Sequence, residues 1–395
     1  MLKNHIVIRN IFVVFLILNQ FTYLNSEGKN YKKKFPLSYE MEIVHRRIPS
    51  YSDSLTMSVS RMIDSTFNHA NKWNDFNGSI LIAKNGKLIY SNEYGYGDFA
   101  NKVKLNSNSA FNLASVSKQF TAVAVLLLYE RNLINLDDSI TKYFPELPYN
   151  NTTIRQLLNH TSGMPMYFWL AEHKWEKDTT PTNSEMIEMM SEYKLPLYFG
   201  PGRRFDYSNT GYFILAALVE KVSGVSFGTF METNIFKPLY MSNSFVYSYK
   251  HDSVRDNQLW GYRLNKRKRH LKISGNVNDG IVGDKNIYST AEDMFRWINA
   301  LNNGWIISKN TLEQMYTKGE TKTGRKVPYG FGFRIKNRES GKVIYHSGKW
   351  NGFRSNVKQY PESDLVIILL EHSSYNYPSS LVNKVQTIIE ENFGS

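Results

Sequence analysis

The stretch from Phe120 to Tyr129, F-T-A-V-A-V-L-L-L-Y, is apolar almost throughout. A helix that is apolar all round lies in a core. The chain must therefore fold around this segment as a buried helix. At its mouth stands Ser115-Val116-Ser117-Lys118. An S-x-x-K tetrad at a helix N-terminus puts Lys one turn after Ser, on the same face. The hydroxyl and the amine can then meet. A Ser hydroxyl is a poor nucleophile alone, and a neighbouring amine that takes its proton activates it. The helix N-terminus also favours developing negative charge. The same four residues also read as a helix cap, with Ser115 capping and Lys118 a solvated first-turn side chain. The tetrad alone does not decide between the two.

With 395 residues the chain has room for one large domain or two ordinary ones. Its 42% hydrophobic and 21% charged residues are those of a soluble globular protein. It has no cysteine, which excludes disulfides, thiolate nucleophiles, Cys-ligated zinc and a lipid-bearing N-terminal Cys. The formal net charge is +13. Such a surface suits a nucleic acid, an anionic membrane or an anionic cell-envelope polymer. Its one cluster is Arg263, Lys266, Arg267, Lys268, Arg269 and Lys272. No zinc-finger spacing or RNA-binding aromatic signature accompanies it, so it reads as a solvated hairpin or loop. No nucleic-acid partner is expected.

Lys3 and Arg9 precede an apolar run, Ile11 to Leu18. A bilayer span needs about 20 residues, so this run fits the apolar core of an export signal. The expectation is a signal peptide over residues 1–26 and a periplasmic or extracellular protein. No A-x-A site follows, so an uncleaved anchor through residues 6–24 is the alternative. Residues 27–52 are polar and basic and read as a linker, and 53–395 as the functional domain.

Leu55, Val59, Met62, Ile63 and Phe67 follow helical spacing. Ile80–Ile82 and Leu88–Tyr90 then flank Asn85-Gly86, a strong hairpin signal. From about 136 to 305 the pattern is mainly helical, including Phe213–Val222 stopped by Ser223-Gly224, and Asp293–Leu301. Strands return at Tyr329–Ile335, Lys342–His346, Phe353–Tyr360 and Leu365–Glu371, and Leu381 to Phe393 closes as a helix. This is an α+β arrangement. One antiparallel sheet is built from both ends of the chain, with flanking helices and a mainly helical insertion.

Three further motifs carry chemistry. Phe205-Asp206-Tyr207-Ser208-Asn209-Thr210-Gly211-Tyr212 follows Pro201-Gly202 and offers a phenol for proton transfer and an amide for a substrate amide. Its plain reading is a turn. His346-Ser347-Gly348 ends a strand before Gly352-Phe353, and Gly348 there lets a substrate backbone approach closely. Leu157-Leu158-Asn159-His160-Thr161-Ser162-Gly163-Met164 reads as a helix end followed by a polar turn.

In series, S-V-S-K, L-L-N-H-T-S-G, P-G-x-x-F-x-Y-S-N-x-G-Y, G-D-x-x-I-Y-S-T from Gly283 to Thr290, and H-S-G-x-x-x-G-F resemble the serine β-lactamase-like hydrolases. That family holds class C β-lactamases, D-alanyl-D-alanine carboxypeptidases and related esterases, and the resemblance covers about residues 55–393. It implies the β-lactamase/D,D-peptidase fold and acyl transfer without metal or cofactor. Ser115 would be the acylated nucleophile, Lys118 its activator and Tyr207 the second acid/base group. Asn209 would orient the substrate. The backbone N–H groups of Ser115 and Lys349 would form the oxyanion hole, each donor worth about 3 kcal/mol.

Two departures matter. H-S-G stands where the β-lactamases have K-T-G, so His346 would meet a substrate carboxylate with a weaker, pH-dependent charge. That favours D,D-peptidases and esterases over strong β-lactamases. A literal K-T-G at Lys322-Thr323-Gly324 lies in a polar stretch and reads as a decoy. The expected function is an exported serine hydrolase, a D,D-carboxypeptidase or penicillin-binding-type enzyme or an esterase, on a small-molecule or peptidoglycan-derived substrate. A β-lactamase is the alternative, and a catalytically idle scaffold of the same fold is the alternative of another class.

Overall fold

The computed structural model describes residues 48–395 apart from positions 75, 268, 374–377 and 395, together with residues 23–24 and 30–31. Apart from Tyr23–Leu24, the expected signal or anchor falls outside the described residues, as does most of the expected linker. Residues 1–47 form a unit of their own, in which Tyr23–Leu24 pairs antiparallel with Asn30–Tyr31.

The unit Ile48–Ser395 is organised by a six-stranded antiparallel sheet. Its strands are β1 (Gly78–Lys84), β2 (Lys87–Tyr94), β3 (Arg334–Arg338), β4 (Gly341–Trp350), β5 (Phe353–Tyr360) and β6 (Leu365–Glu371). Their spatial order is β3-β4-β5-β6-β1-β2. The sequence of β6, L-V-I-I-L-L-E, shows why it is central. Every residue in it is buried, and a strand covered on both faces reads as a continuous apolar run. Leu365, Ile367 and Leu369 face one layer, made by α1 (Ser54–Asn74) and a terminal helix, Pro378–Phe393, through Val59, Ile63, Phe67, Val382 and Val385. Val366, Ile368 and Leu370 face the other layer, as the two-residue period of a strand requires.

That second layer holds α2 (Lys118–Glu130), α3 (Asn209–Ser223) and α4 (Ala291–Asn302). Residues Lys118 to Leu128 of α2 are all buried, so the apolar run is the central helix its composition demanded. Phe120 stacks on Trp297 of α4 at 4.1 Å. The helix α3 ends at Gly224, whose φ of 74° supplies the left-handed residue of a C-terminal cap.

Three details differ from the sequence expectation. The strand expected over Tyr329–Ile335 begins only at Arg334, because Gly332 takes a positive φ of 75° and breaks the extended run. The strand expected to end at His346 continues to Trp350. It turns through Asn351-Gly352, with φ of 41° and 88°, a two-residue hairpin of the same chemistry as Asn85-Gly86. The region 136–305 also carries short strands, including the hairpin Tyr262–Leu264 with His270–Lys272 that bears the basic cluster.

Candidate active site

Ser115 lies in a single 3-10 turn, Ala114–Ser117, which leads directly into α2. The preceding residue, Ala114, has φ 49°, a left-handed conformation costing about 1–3 kcal/mol for a residue with a Cβ. The turn is held from outside. The Ala114 N–H donates to Asn112 Oδ1 at 2.8 Å, and Ser355 Oγ donates to the Leu113 carbonyl at 2.6 Å. Ser117 is not free to act, since its buried Oγ accepts the Ile287 N–H at 3.1 Å. Ser115 stays part-exposed.

Lys118 is fully buried, and its Nζ donates to Ser115 Oγ at 3.0 Å and to the Asp284 carbonyl at 2.6 Å. Thr121, one turn on, donates to the Gly283 carbonyl at 2.6 Å. The segment Gly283–Ile287 therefore fixes the helix N-terminus through three side chains. Burial lowers the Lys118 pKa to about 7, the Asp284 carboxylate opposes the fall, and the Arg334 guanidinium adds to it. A neutral amine is thus available near neutral pH within hydrogen-bond reach of a serine hydroxyl, as nucleophile activation requires.

The loop before α3 brings Tyr207 over this pair. Lys118 Nζ is 5.1 Å from its ring centre. The phenol oxygen is buried without a hydrogen bond of good geometry. Burial raises its pKa, while the Ser115 hydroxyl and the Arg334 charge pull it back. Asn209, the first residue of α3, has a buried Oδ1 with no partner, an acceptor free for a ligand amide.

The third wall is the end of β4. Only Gly341 to Tyr345 pair with β3, so from His346 to Trp350 that edge has no strand neighbour among the described residues. A two-residue hairpin has a hydrogen-bonded pair flanking its turn, here Trp350 and Phe353. By alternation the Lys349 N–H points away from β5, to the free edge. Gly348 has a reason different from the one expected. A Cβ there would collide with Ser355 Oγ and the Leu113 carbonyl, so the space it leaves is taken by the chain's own Ser115 turn. Gly348→Ala is expected to keep the fold while lowering kcat by about two orders of magnitude, the usual result of misplacing a reacting group by about 1 Å. Turnover with circular dichroism checks this, and near-normal kcat would refute it.

The structure corrects the expected behaviour of His346. It is 1% exposed. Its Nδ1 lies 2.9 Å from the Ser347 carbonyl, which only accepts, so Nδ1 carries the proton. Its Nε2, 2.8 Å from the Tyr329 hydroxyl, then accepts. Burial, with Lys118 and Arg334 nearby, holds its pKa well below the usual histidine range. His346 is a neutral wall residue and does not supply a titrating charge.

Lys322 sits on an exposed turn, where its N–H donates to the Gly202 carbonyl at 2.8 Å. The reading from sequence missed Arg334. The guanidinium is 5.1 Å from the Tyr207 ring centre. It belongs to no motif, and only the pairing of Arg334 with Tyr345 brings it to the site. Tyr329 belongs to no motif either, and Asp284, although inside G-D-x-x-I-Y-S-T, was given no role because its contact with Lys118 is long-range.

The sequence model of the Beta-lactamase family matches residues 72–387. This chain belongs to the beta-lactamase family. Penicillin-binding protein 4* of Bacillus subtilis is 32% identical over 83% of this chain and 75% of its own length. A penicillin-binding protein homologue of Pyrococcus abyssi, described as octameric, superposes with a TM-score of 0.71 at 26% identity, over 84% of this chain and 77% of that one. The D-amino acid amidase of Ochrobactrum anthropi, at 23% identity and TM-score 0.71 over 86% of this chain and 100% of that one, shows the fold alone. The α+β fold expected from the sequence is therefore that of the β-lactamases and penicillin-binding proteins, and the chain is a serine hydrolase of that fold.

Proposed function

We propose that this β-lactamase-family chain is an exported hydrolase that forms an acyl-enzyme on Ser115 and acts on a peptide with a free terminal carboxylate, of the D-alanyl-D-alanine type. The Lys118 amine takes the Ser115 proton as Oγ attacks the carbonyl carbon. The Ser115 and Lys349 N–H groups stabilise the resulting oxyanion. Tyr207 protonates the departing amine, and water then releases the acyl group with the proton flow reversed. Asn209 orients the substrate amide.

The observation that carries the substrate class is Arg334. It is half-buried beside Tyr207, and among the described residues it has no carboxylate partner. A guanidinium keeps its charge at all working pH values and fits a carboxylate bidentately. This replaces the pH-dependent attraction expected of His346. A charge-assisted hydrogen bond is worth about 1.5–3 kcal/mol. Arg334→Gln should therefore raise KM about 10- to 100-fold for a D-Ala-D-Ala peptide, and change it little for the C-terminally amidated peptide or a p-nitrophenyl ester. Equal values for all three substrates would remove the peptidase reading and leave an esterase, which the same Ser115–Lys118 pair serves. Nitrocefin and a fluorescent penicillin on the same sample separate hydrolysis of a β-lactam from simple acylation by one. Export rests on the Ile11–Leu18 run. N-terminal sequencing of the mature protein tests it, and an intact Met1 on cytoplasmic protein would refute it.

A further inference from the structure

The L-L-N-H-T-S-G motif takes no direct part in the chemistry above, yet its turn meets the tyrosine loop along its whole length. The Tyr198 N–H donates to the Gly163 carbonyl at 2.9 Å, and the Gly202 N–H to the Thr161 carbonyl at 2.8 Å. The Asp206 N–H donates to the His160 carbonyl at 2.9 Å, and the Ser208 N–H to His160 Nδ1 at 3.1 Å. His160 accepts both of the last two bonds, and they hold the residues on either side of Tyr207.

His160 can do this only in an unusual conformation. Its φ is 60° and it is fully buried. The left-handed backbone sends the carbonyl and the ring to the same loop. The ring centre is 4.3 Å from that of Tyr207, 4.4 Å from Tyr329 and 5.1 Å from Tyr212. Because Nδ1 accepts, the ring proton is on Nε2, which is buried without a hydrogen-bond partner. A proton on Nδ1 would break the bond to Ser208. It would also bury a cation facing Lys118, His346 and Arg334, and all of these, with burial first, disfavour the charged ring.

We propose that His160 is the positioning residue of Tyr207: as a neutral ring with Nδ1 as acceptor, it clamps residues 206 and 208 and packs against the phenol, fixing where its hydroxyl meets Ser115. This rests on the reading of Tyr207 as a proton-transfer group. His160 touches no reacting atom, and its effect passes through the tyrosine.

The test is a double-mutant cycle with rescue. His160→Leu removes the acceptor and keeps bulk. His160→Asn keeps an acceptor oxygen, and Asn tolerates positive φ. His160→Leu should lower kcat on a D-Ala-D-Ala peptide by about 10- to 100-fold, with KM changed less than about threefold. His160→Asn should recover most of that loss. In a Tyr207→Phe background, His160→Leu should cost almost nothing more, because the group it positions is gone. If the leucine variant does not fold, His160→Gly takes its place, since Gly also accepts positive φ. An equal loss in both backgrounds, with Asn no better than Leu, overturns the proposal and leaves the mechanism standing. Near-normal kcat in Tyr207→Phe alone overturns the mechanism, and the proposal with it.

Discussion

Ser115→Ala is expected to end turnover and covalent labelling together, with an unchanged circular dichroism spectrum and melting temperature. The Ser115 side chain is part-exposed, and the bond it accepts from Lys118 supports no other element. The fold therefore loses little. On the proposed mechanism the chemistry loses the atom that bonds to the substrate, and losses on the order of 10⁶-fold in kcat are typical of removing such a nucleophile. Mass spectrometry of the wild-type protein after penicillin or fluorophosphonate treatment should place the adduct on the peptide containing Ser115. A label found on Ser117 would overturn the assignment, as would one that survives the substitution.

Lys118→Met is expected to lower kcat by at least about two orders of magnitude, the scale for a positioned proton-transfer group. The wild-type pH profile supplies the second readout. Burial lowers the Lys118 pKa to about 7. Below that value the amine holds its own proton and cannot take one from Ser115. Above it the amine is free, so kcat/KM should rise with pH through about 7 and then level. His346 adds no step to this limb, because its pKa lies well below the usual histidine value. A methionine variant that keeps the same acid limb at reduced rate would show that another group titrates there.

How far the site was legible follows from how local each feature is. The meeting of Ser115 and Lys118 is a property of one helical turn, so the spacing offered it, and the other motifs in series decided it against a plain helix cap. The apolar runs of α2 and β6 announced their burial. Asn85-Gly86 announced its hairpin; Asn351-Gly352 carries the same signal but lies beyond His346, where the strand was expected to end. The charge of His346 was misjudged because protonation depends on what surrounds a ring. Nothing near His346 in sequence says that Tyr329 will donate to one nitrogen and the Ser347 carbonyl accept from the other. Arg334 could not be found at all without the β3–β4 register. Gly348 was noticed for the right position and the wrong neighbour, since the Leu113 carbonyl lies far away in the chain.

The position of β6 between β5 and β1 also bears on how the protein is made. The strand synthesised last is the one that joins the two halves of the sheet. Leu81 waits for its partner Ile368 until almost the whole domain has left the ribosome. Pairings so distant along the chain slow folding. Until β6 arrives, β1 presents an apolar, unpaired edge, the kind of surface that other chains add to. A message truncated before Leu365 would thus encode something worse than a shortened enzyme: two sheet fragments with open seams, material for aggregation or for a protease. The same order gives the cell an interval in which the nascent chain stays unlocked, and only the final strand closes it.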